Sequence, residues 1–212
     1  MGAFVQVLGD AELFESGDKT AGPAARRQKA NEQAIADRPE VQRIVQQVRE
    51  DLTNHTVFKR FAAPQRIGRV LVSRYAPGMA YGAHYDDAFI GGVRTDLSFT
   101  LFLSEPDEYE GGELEIVNST GSQAIKLPAG CAVVYPSSHL HAVRPVEAGT
   151  RLTIVGWVQS RIRSTEHREQ YFELGEAIAA LEEQLSEAGD DVRASLTRLK
   201  MIRNNLLRLW AS

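Results

Sequence analysis

Between residues 68 and 160 the chain is a run of short apolar or alternating segments punctuated by turn residues, and this feature excludes most architectures. The clearest segment is Arg94 to Leu103. Leu97, Phe99, Leu101 and Leu103 fall on one face and Asp96, Ser98, Thr100 and Phe102 on the other, the two-residue period of a strand. Before it come Gly68 to Tyr75, where Val70 and Val72 alternate with Leu71 and Ser73, and Tyr81 to Asp86, after the turn Ala76-Pro77-Gly78. After it come Glu113 to Val117, Ser122 to Leu127, Cys131 to Tyr135, His139 to Val143 and Arg151 to Gln159. An acidic loop, Glu105 to Gly112, and turns at Asn118 to Gly121, Pro128-Ala129-Gly130 and Pro136-Ser137-Ser138 divide them, with Pro145 and Gly149 joining the last two. Strands this closely spaced leave no room for crossover helices, so the block is expected to be an antiparallel sandwich or barrel.

Helical periodicity is confined to the flanks. Ile35, Val41, Ile44, Val45, Val48 and Leu52 predict helix between Ala30 and Leu52, with Pro39 suited to the first turn of a second helix. Residues 1 to 33 are turn-rich and read as a short strand or helix followed by irregular chain. Val57 to Phe61 reads as a short strand, and Pro64 as a break. Past Ser160, one stripe (Tyr171, Leu174, Ile178, Leu181, Leu185) and another (Val192, Leu196, Leu199, Ile202, Leu206, Leu209) predict a helical hairpin divided at Gly189-Asp190-Asp191. Its stripes are expected to pack on the barrel or to meet a second copy in a homodimer. The organisation is therefore a helical or mixed support at 1–67, a β core at 68–160 and a helical hairpin at 161–212.

The net charge of −4 and pI near 5.8 exclude the global basic field that nucleic acid or an anionic membrane would select. No apolar run approaches the ~20 residues needed to span a bilayer, and Met1 to Asp10 lacks the pattern of a secretory leader, so a cytoplasmic protein is expected. The single cysteine, Cys131, sits in an apolar run and is expected to be a buried thiol.

A small set of residues suggests chemistry. His84 and Asp86, two apart, share one side of an extended segment, and a second strand with His139-Leu140-His141 supplies another imidazole. Two imidazoles and one carboxylate suit non-haem ferrous iron, because they leave adjacent positions open. Arg151 heads a strand whose same-face partners are Thr153, Val155 and Trp157. If that face points inward, the guanidinium is a buried charge that calls for an anion. A dicarboxylate gripping the metal at one end and Arg151 at the other would meet both demands. Spacing alone does not choose between His139 and His141, which share a face.

The ordered motifs His84-Tyr85-Asp86, Arg94-Thr95-Asp96-Leu97-Ser98, Gly111-Gly112-Glu113-Leu114, Leu127-Pro128-Ala129-Gly130, Tyr135-Pro136-Ser137, Leu140-His141-Ala142-Val143-Arg144-Pro145-Val146 and Gly149-Thr150-Arg151, with Trp157, closely resemble the iron(II)/2-oxoglutarate dioxygenases. Within that family the chain looks most like the bacterial PKHD-type hydroxylases, relatives of prolyl 4-hydroxylase called PiuC-like. The match runs from about residue 68 to 175, with an echo in Thr20-Ala21-Gly22 and Lys29-Ala30-Asn31-Glu32-Gln33. The resemblance implies a mainly β double-stranded β-helix (jelly roll) with helical flanks. It implies Fe(II) held by His84, Asp86 and His141, with 2-oxoglutarate and O2 as cosubstrates. Arg151 would grip the far carboxylate of 2-oxoglutarate, and Tyr75 would touch the same cosubstrate. The frame around His141 favours it over His139, which with Trp157 is left for a supporting or substrate contact. Some family members also use ascorbate.

The activity implied is hydroxylation of a substrate C–H bond, on a protein side chain such as prolyl or on a small molecule, with release of succinate and CO2. Two rivals stand beside it. A cupin-like metalloprotein not using 2-oxoglutarate has no use for an inward Arg151, and a non-catalytic iron or 2-oxoglutarate sensor keeps the whole constellation without turnover. Gly91-Gly92 and the acidic loop are candidate walls of the entrance, and an acidic entrance favours a basic or neutral substrate.

Overall fold

In the computed structural model of the chain, residues 2–20, 28–118, 120–184 and 190–211 are described. The chain opens with helix α1 (Gly2–Val7), a 3-10 turn at Ala11–Leu13, strand β1 (Phe14–Ser16) and a second 3-10 turn at Gly17–Thr20. Next come β2 (Lys29–Ala30), β3 (Glu32–Ala34), α2 (Pro39–Asn54), α3 (Thr56–Ala62) and β4 (Pro64–Tyr75). The β block continues with β5 (Ala80–His84), β6 (Phe89–Ile90), β7 (Val93–Arg94), β8 (Leu97–Phe102) and β9 (Tyr109–Gly111). It closes with β10 (Leu114–Asn118), β11 (Gly121–Ile125), β12 (Ala132–Pro136), β13 (Leu140–Val143), β14 (Val146–Gly149) and β15 (Arg151–Ser160), ahead of α4 (Thr165–Glu183) and α5 (Asp190–Trp210).

Two sheets face each other. One has six strands in the order β1-β3-β4-β15-β8-β12 and the other five, β11-β10-β13-β5-β2. From β4 to β15 the chain passes back and forth between the two sheets, with only the hairpin β10–β11 keeping sequence neighbours in one of them, the alternation of a jelly roll. The short run from β2 to β3 crosses from the five-stranded sheet to the six-stranded one at Asn31 and closes one side of the barrel.

The six-stranded sheet is buried on both faces, which explains its composition. Leu97, Phe99 and Leu103 of the β8 segment join Val70 and Val72 of β4 and Leu152, Ile154 and Val158 of β15 beneath Val41, Ile44 and Val48 of α2 and Phe58 of α3. Gly156 lets the Phe99 ring lie across β15, since a Cβ there would sit 2.7 Å from it. On the other face, Phe102 packs with Leu114, Ile116 and Tyr135 inside the barrel. The alternation expected for β8 therefore separates two interiors rather than core from solvent.

Several expectations are corrected. Val57 to Phe61 is helical: His55 Nδ1 accepts from the Phe58 N–H at 3.2 Å to cap α3, and Phe58 and Ala62 are buried one turn apart. Ile35 lies outside the helix, which starts with Pro39 in its first turn. β4 begins at Pro64 instead of being broken by it, because a strand's first residue needs no ladder donor. β14 and β9 form a two-stranded ribbon where a turn and an acidic loop were expected. Cys131 is exposed, in the turn leading into edge strand β12.

The C-terminal hairpin packs back on the chain. Tyr171, with Leu207 and Trp210, joins Ala63 and Ile162, and Phe61 meets Phe172 edge-on at 5.4 Å. Val192, Met201, Ile202 and Leu209 of α5 stay exposed. Leu185 and Gly189 of the expected hairpin, and Ala21-Gly22 of the echo, lie outside the described residues. No helix among the described residues is long and apolar enough to cross a membrane.

Candidate active site

The antiparallel register of β13 and β5 sets His141 directly opposite His84. Their rings stand 4.3 Å apart between centroids. Asp86 lies two residues beyond the end of β5, held extended by its N–H donating to Ser137 O at 3.2 Å. One ligating atom from each of His84, Asp86 and His141 lies within 4.8 Å of the other two. Each imidazole is oriented by the backbone. His84 Nδ1 meets Gly82 O at 2.8 Å and His141 Nδ1 meets His139 O at 2.9 Å, which leaves both Nε2 atoms facing the cluster. The carboxylate is oriented too: Ser98 Oγ donates to Asp86 Oδ2 at 2.5 Å and lies 2.7 Å from Ser137 Oγ.

Burial, then the neighbouring His141, push His84 down to about 4, so the ring is neutral and a lone pair is free at neutral pH. This donor set, two imidazoles and a hydrogen-bonded carboxylate with space in front of it, fits a ferrous ion. His139 does not join the cluster. It is its carbonyl, not its ring, that touches the site, by fixing His141.

A cavity of about 600 Å³ runs past the cluster. Its closed end holds Arg151, only 1% exposed and paired in register with Tyr75. Arg151 Nη1 donates to Thr153 Oγ1 at 3.1 Å, while Nε and Nη2 are buried without a partner among the described residues. The Tyr75 ring centroid is 5.2 Å from Cζ and that of Phe102 is 5.5 Å. Burial lowers the Arg151 pKa, with Tyr75 and Tyr109 opposing, and burial raises that of Tyr75. Gly112, at φ +66°, backs this arginine: a Cβ there would lie 3.1 Å from Arg151 Cδ and 2.9 Å from Val146 Cγ2. Tyr109 caps the same end, its hydroxyl also buried without a hydrogen-bond partner among the described residues. The arrangement can hold a carboxylate, since two unused N–H groups of one planar guanidinium form a bidentate donor.

Residues not singled out by the sequence reading fill the remaining wall. Tyr81 stacks on His84 at 3.6 Å and Tyr135 meets His141 edge-on at 5.1 Å. Asn31, Gln33, Arg69, Ser98 and Lys29 also line the cavity. Two-residue periodicity carries the signal for Ser98 and Arg69, which share their strands' inward faces with Thr100 and with Leu71, Ser73 and Tyr75. Lys29, with Asn31 and Gln33, falls in the echo of the family resemblance, which gave it no role. Gly91 lines the mouth as anticipated, but no residue of Glu105 to Glu110 does. That loop folds toward the Arg151 end, where Tyr109 pairs with Gly149, so the expected acidic entrance is not formed by it.

Comparison with known proteins agrees with this geometry. Residues 70–159 match the 2OG-Fe(II) oxygenase superfamily. A PKHD-type hydroxylase of Maricaulis maris is 48% identical over 93% of this chain and 88% of its own length. One from a Picosynechococcus species is 44% identical over 96% and 90%. Among solved structures, a prolyl-4-hydroxylase of Pseudomonas putida superposes with a TM-score of 0.53 at 22% identity, over 76% of this chain and 88% of that one. A prolyl hydroxylase of Trichoplax adhaerens gives 0.52 at 16% identity, over 74% of each chain. These two share the fold.

Proposed function

As a member of the 2OG-Fe(II) oxygenase superfamily, in its PKHD-type hydroxylase branch, the chain is an iron(II)- and 2-oxoglutarate-dependent hydroxylase, and we propose that His84, Asp86 and His141 hold the iron while Arg151 holds the far carboxylate of 2-oxoglutarate. The observation that carries these roles is the state of Arg151: a guanidinium 1% exposed, with Nε and Nη2 unpartnered among the described residues, on the wall of the cavity that His84, Asp86 and His141 also line. Leaving a buried cation unpaired costs several kcal/mol, and a bound carboxylate removes that cost.

With iron(II) bound, the chemistry supplied is oxidative decarboxylation of 2-oxoglutarate by O2, one oxygen atom passing to succinate and the other to a substrate C–H bond, with loss of CO2. The protein's own residues orient and shield. Gly82 O and His139 O fix the two imidazoles, Ser98 and Ser137 fix the carboxylate, and Phe102, Leu114 and Tyr135 exclude water from the closed end. The Tyr75 ring lies against the guanidinium that takes the cosubstrate. The catalytic unit of the proposal is residues 68–160, with α2 and α3 backing the six-stranded sheet, β1 to β3 extending the two sheets, and α4 and α5 docked outside it. The substrate is a protein side chain such as prolyl, or a small molecule. A metalloprotein that did not use 2-oxoglutarate would leave the buried donors of Arg151 with no counterpart.

Anaerobic addition of 2-oxoglutarate to the iron(II)-loaded protein tests the roles through the weak visible charge-transfer absorption of the chelate. The band is expected in wild type and in His139→Ala, and not in His141→Ala. A wild type with no band, or a His141→Ala variant with a full one, contradicts the assignment.

A further inference from the structure

Three residues lining the cavity carry buried side-chain polar atoms with no hydrogen-bond partner among the described residues: Arg151, Trp157 and Asn31. The roles above use only Arg151. Trp157 stands six residues along β15 from Arg151, roughly 20 Å in an extended strand, and belongs to the other end of the wall. Asn31 belongs to the Arg151 end, and the register of the sheet puts it there. β3 and β4 pair with Glu32 opposite Arg74 and Gln33 opposite Ser73, so the same antiparallel register, continued by one residue, sets Asn31 opposite Tyr75. β15 in turn sets Arg151 opposite Tyr75. Residues directly opposite each other on antiparallel strands project from the same face. Asn31, Tyr75 and Arg151 therefore form one row across three adjacent strands, 5%, 3% and 1% exposed, and all three line the cavity.

Tyr75 is the middle member of the row. Burial raises its pKa, and Arg151 and, after it, the Asn31 amide oppose the rise, as an N–H directed at the phenolic oxygen does. The approach stops short of a completed bond, because Nδ2 and Oδ1 of Asn31 are both buried without a hydrogen-bond partner among the described residues. The chain is shaped to keep the amide in this place. The 3-10 turn Gly17–Thr20 packs beside it, with the Gly17 N–H donating to Asn31 O at 2.8 Å, and a Cβ at Gly17 would overlap Asn31 Oδ1. Glycine at 17 is thus demanded by the Asn31 side chain. A buried amide with both polar atoms idle is destabilising, and its presence is explained when the amide has a partner to complete once the cavity is occupied.

We propose that Asn31 is a positioning residue for 2-oxoglutarate, acting through Tyr75: its Nδ2–H donates to the Tyr75 hydroxyl oxygen when the cavity is occupied, and the Tyr75 O–H is thereby turned toward the far carboxylate beside Arg151. A phenol has one proton to donate, and its oxygen also accepts. An amide N–H on the accepting side leaves that proton directed at the anion, whereas an apolar neighbour leaves the hydroxyl free to rotate. The inference rests on the cosubstrate roles proposed above for Arg151 and Tyr75 and adds the residue that orients the Tyr75 proton.

Titration calorimetry of the whole chain, loaded with zinc(II), tests this by comparing 2-oxoglutarate with 2-oxopentanoate, which lacks the far carboxylate. Thermal melts confirm that each variant is folded. Asn31→Ala is expected to weaken 2-oxoglutarate binding by about 5- to 10-fold, the size of one net hydrogen bond, and to leave 2-oxopentanoate binding unchanged. Tyr75→Phe should lose 2-oxoglutarate affinity likewise, and the double variant should lose no more than Tyr75→Phe alone, because the two side chains serve one interaction. Asn31→Asp, nearly the same in shape, exchanges the donor for an acceptor that claims the Tyr75 proton, and should weaken 2-oxoglutarate binding by more than Asn31→Ala does. Gly17→Ala displaces the amide from outside the cavity lining and should reproduce the Asn31→Ala loss, which keeps the test decisive where a variant at 31 does not fold. Equal losses for both acids in Asn31→Ala would mark a merely structural role and overturn the proposal, as would additive losses in the double variant. A wild type that binds 2-oxoglutarate no better than 2-oxopentanoate breaks the Arg151 assignment itself, whereas a wild-type preference that survives intact in Asn31→Ala breaks this inference alone.

Discussion

Arg151 and Arg168 are both 1% exposed, yet only one of them marks a site. Arg168, at the joint between β15 and α4, donates through Nη1 to Ile162 O at 3.0 Å and through Nη2 to Thr165 Oγ1 at 3.2 Å. It ties the C-terminal hairpin to the barrel. Among the described residues, Arg151 makes one side-chain hydrogen bond, to Thr153, and keeps two donors idle inside a cavity. Burial of a charge is therefore not the signal of function. The signal is burial with donors left over, because a protein that folds around an unsatisfied cation does so stably only when something outside the chain completes it.

The same distinction applies to the two histidines flanking Leu140, and there the effect should be largest. His141→Ala removes an Nε2 aimed at the cluster and is expected to weaken ferrous binding by more than about 100-fold, beyond the 10- to 100-fold typical of losing a ligand's supporting partner. His139→Ala keeps the carbonyl that orients His141 and should leave iron affinity nearly unchanged, as read by anaerobic titration. Equal losses would show that the rings were assigned wrongly.

Arg168→Met is expected to lower unfolding stability by about 1–3 kcal/mol, since Ile162 O is left buried without its donor, while 2-oxoglutarate affinity is kept. Denaturant unfolding and calorimetry read the two halves separately. A loss of cosubstrate binding in this variant would erase the contrast between the arginines.

Ser98→Ala is smaller. It frees Asp86 Oδ2 from its 2.5 Å hydrogen bond and should reduce iron affinity by about 10-fold, with Ser98→Thr restoring most of it. An unchanged affinity in Ser98→Ala would mean that the Ser137 and Ser98 pair does not orient the carboxylate.

The smallest effect is on pH. Burial, with His141 beside it, holds His84 at about 4 in the folded chain against 6.5 ordinarily. Between those values the unfolded chain binds a proton that the folded chain refuses, so the metal-free protein should lose stability as pH falls from about 6.5 toward 4 and show no His84 contribution above that window. His84→Gln should flatten the slope measured by melts across this range. A slope of the opposite sign would contradict a buried neutral ring.

What the sequence revealed follows from which interactions are local. Strand alternation placed Arg151, Thr153, Val155 and Trp157 on one face, and burial of the opposite face under α2 and α3 is what turns that face into the cavity wall. His84, Asp86 and His141 are readable because their spacing repeats the strand period. Lys29 is not: it becomes part of the cavity only because β2 pairs with β5, a contact between residues far apart in the chain. The acidic loop looked like an entrance because charge and glycine mark any loop, whereas its place near Arg151 is set by the pairing of Tyr109 with Gly149. The stretch after His55 has β-branched and aromatic residues, but the cap at its start and the burial of Phe58 and Ala62 outweigh that bias and make it a helix.

Isothermal titration of 2-oxoglutarate into the zinc(II)-loaded protein, comparing wild type with Arg151→Gln and Arg168→Met, tests the central claim most directly. The Arg151→Gln variant is expected to bind about 30- to 1,000-fold more weakly, the cost of leaving the ligand's carboxylate buried and unpaired. Its melting temperature should be no lower than that of wild type, and Arg168→Met should bind as wild type does. Wild-type affinity in Arg151→Gln would show that the idle donors at the closed end of the barrel are not there for 2-oxoglutarate.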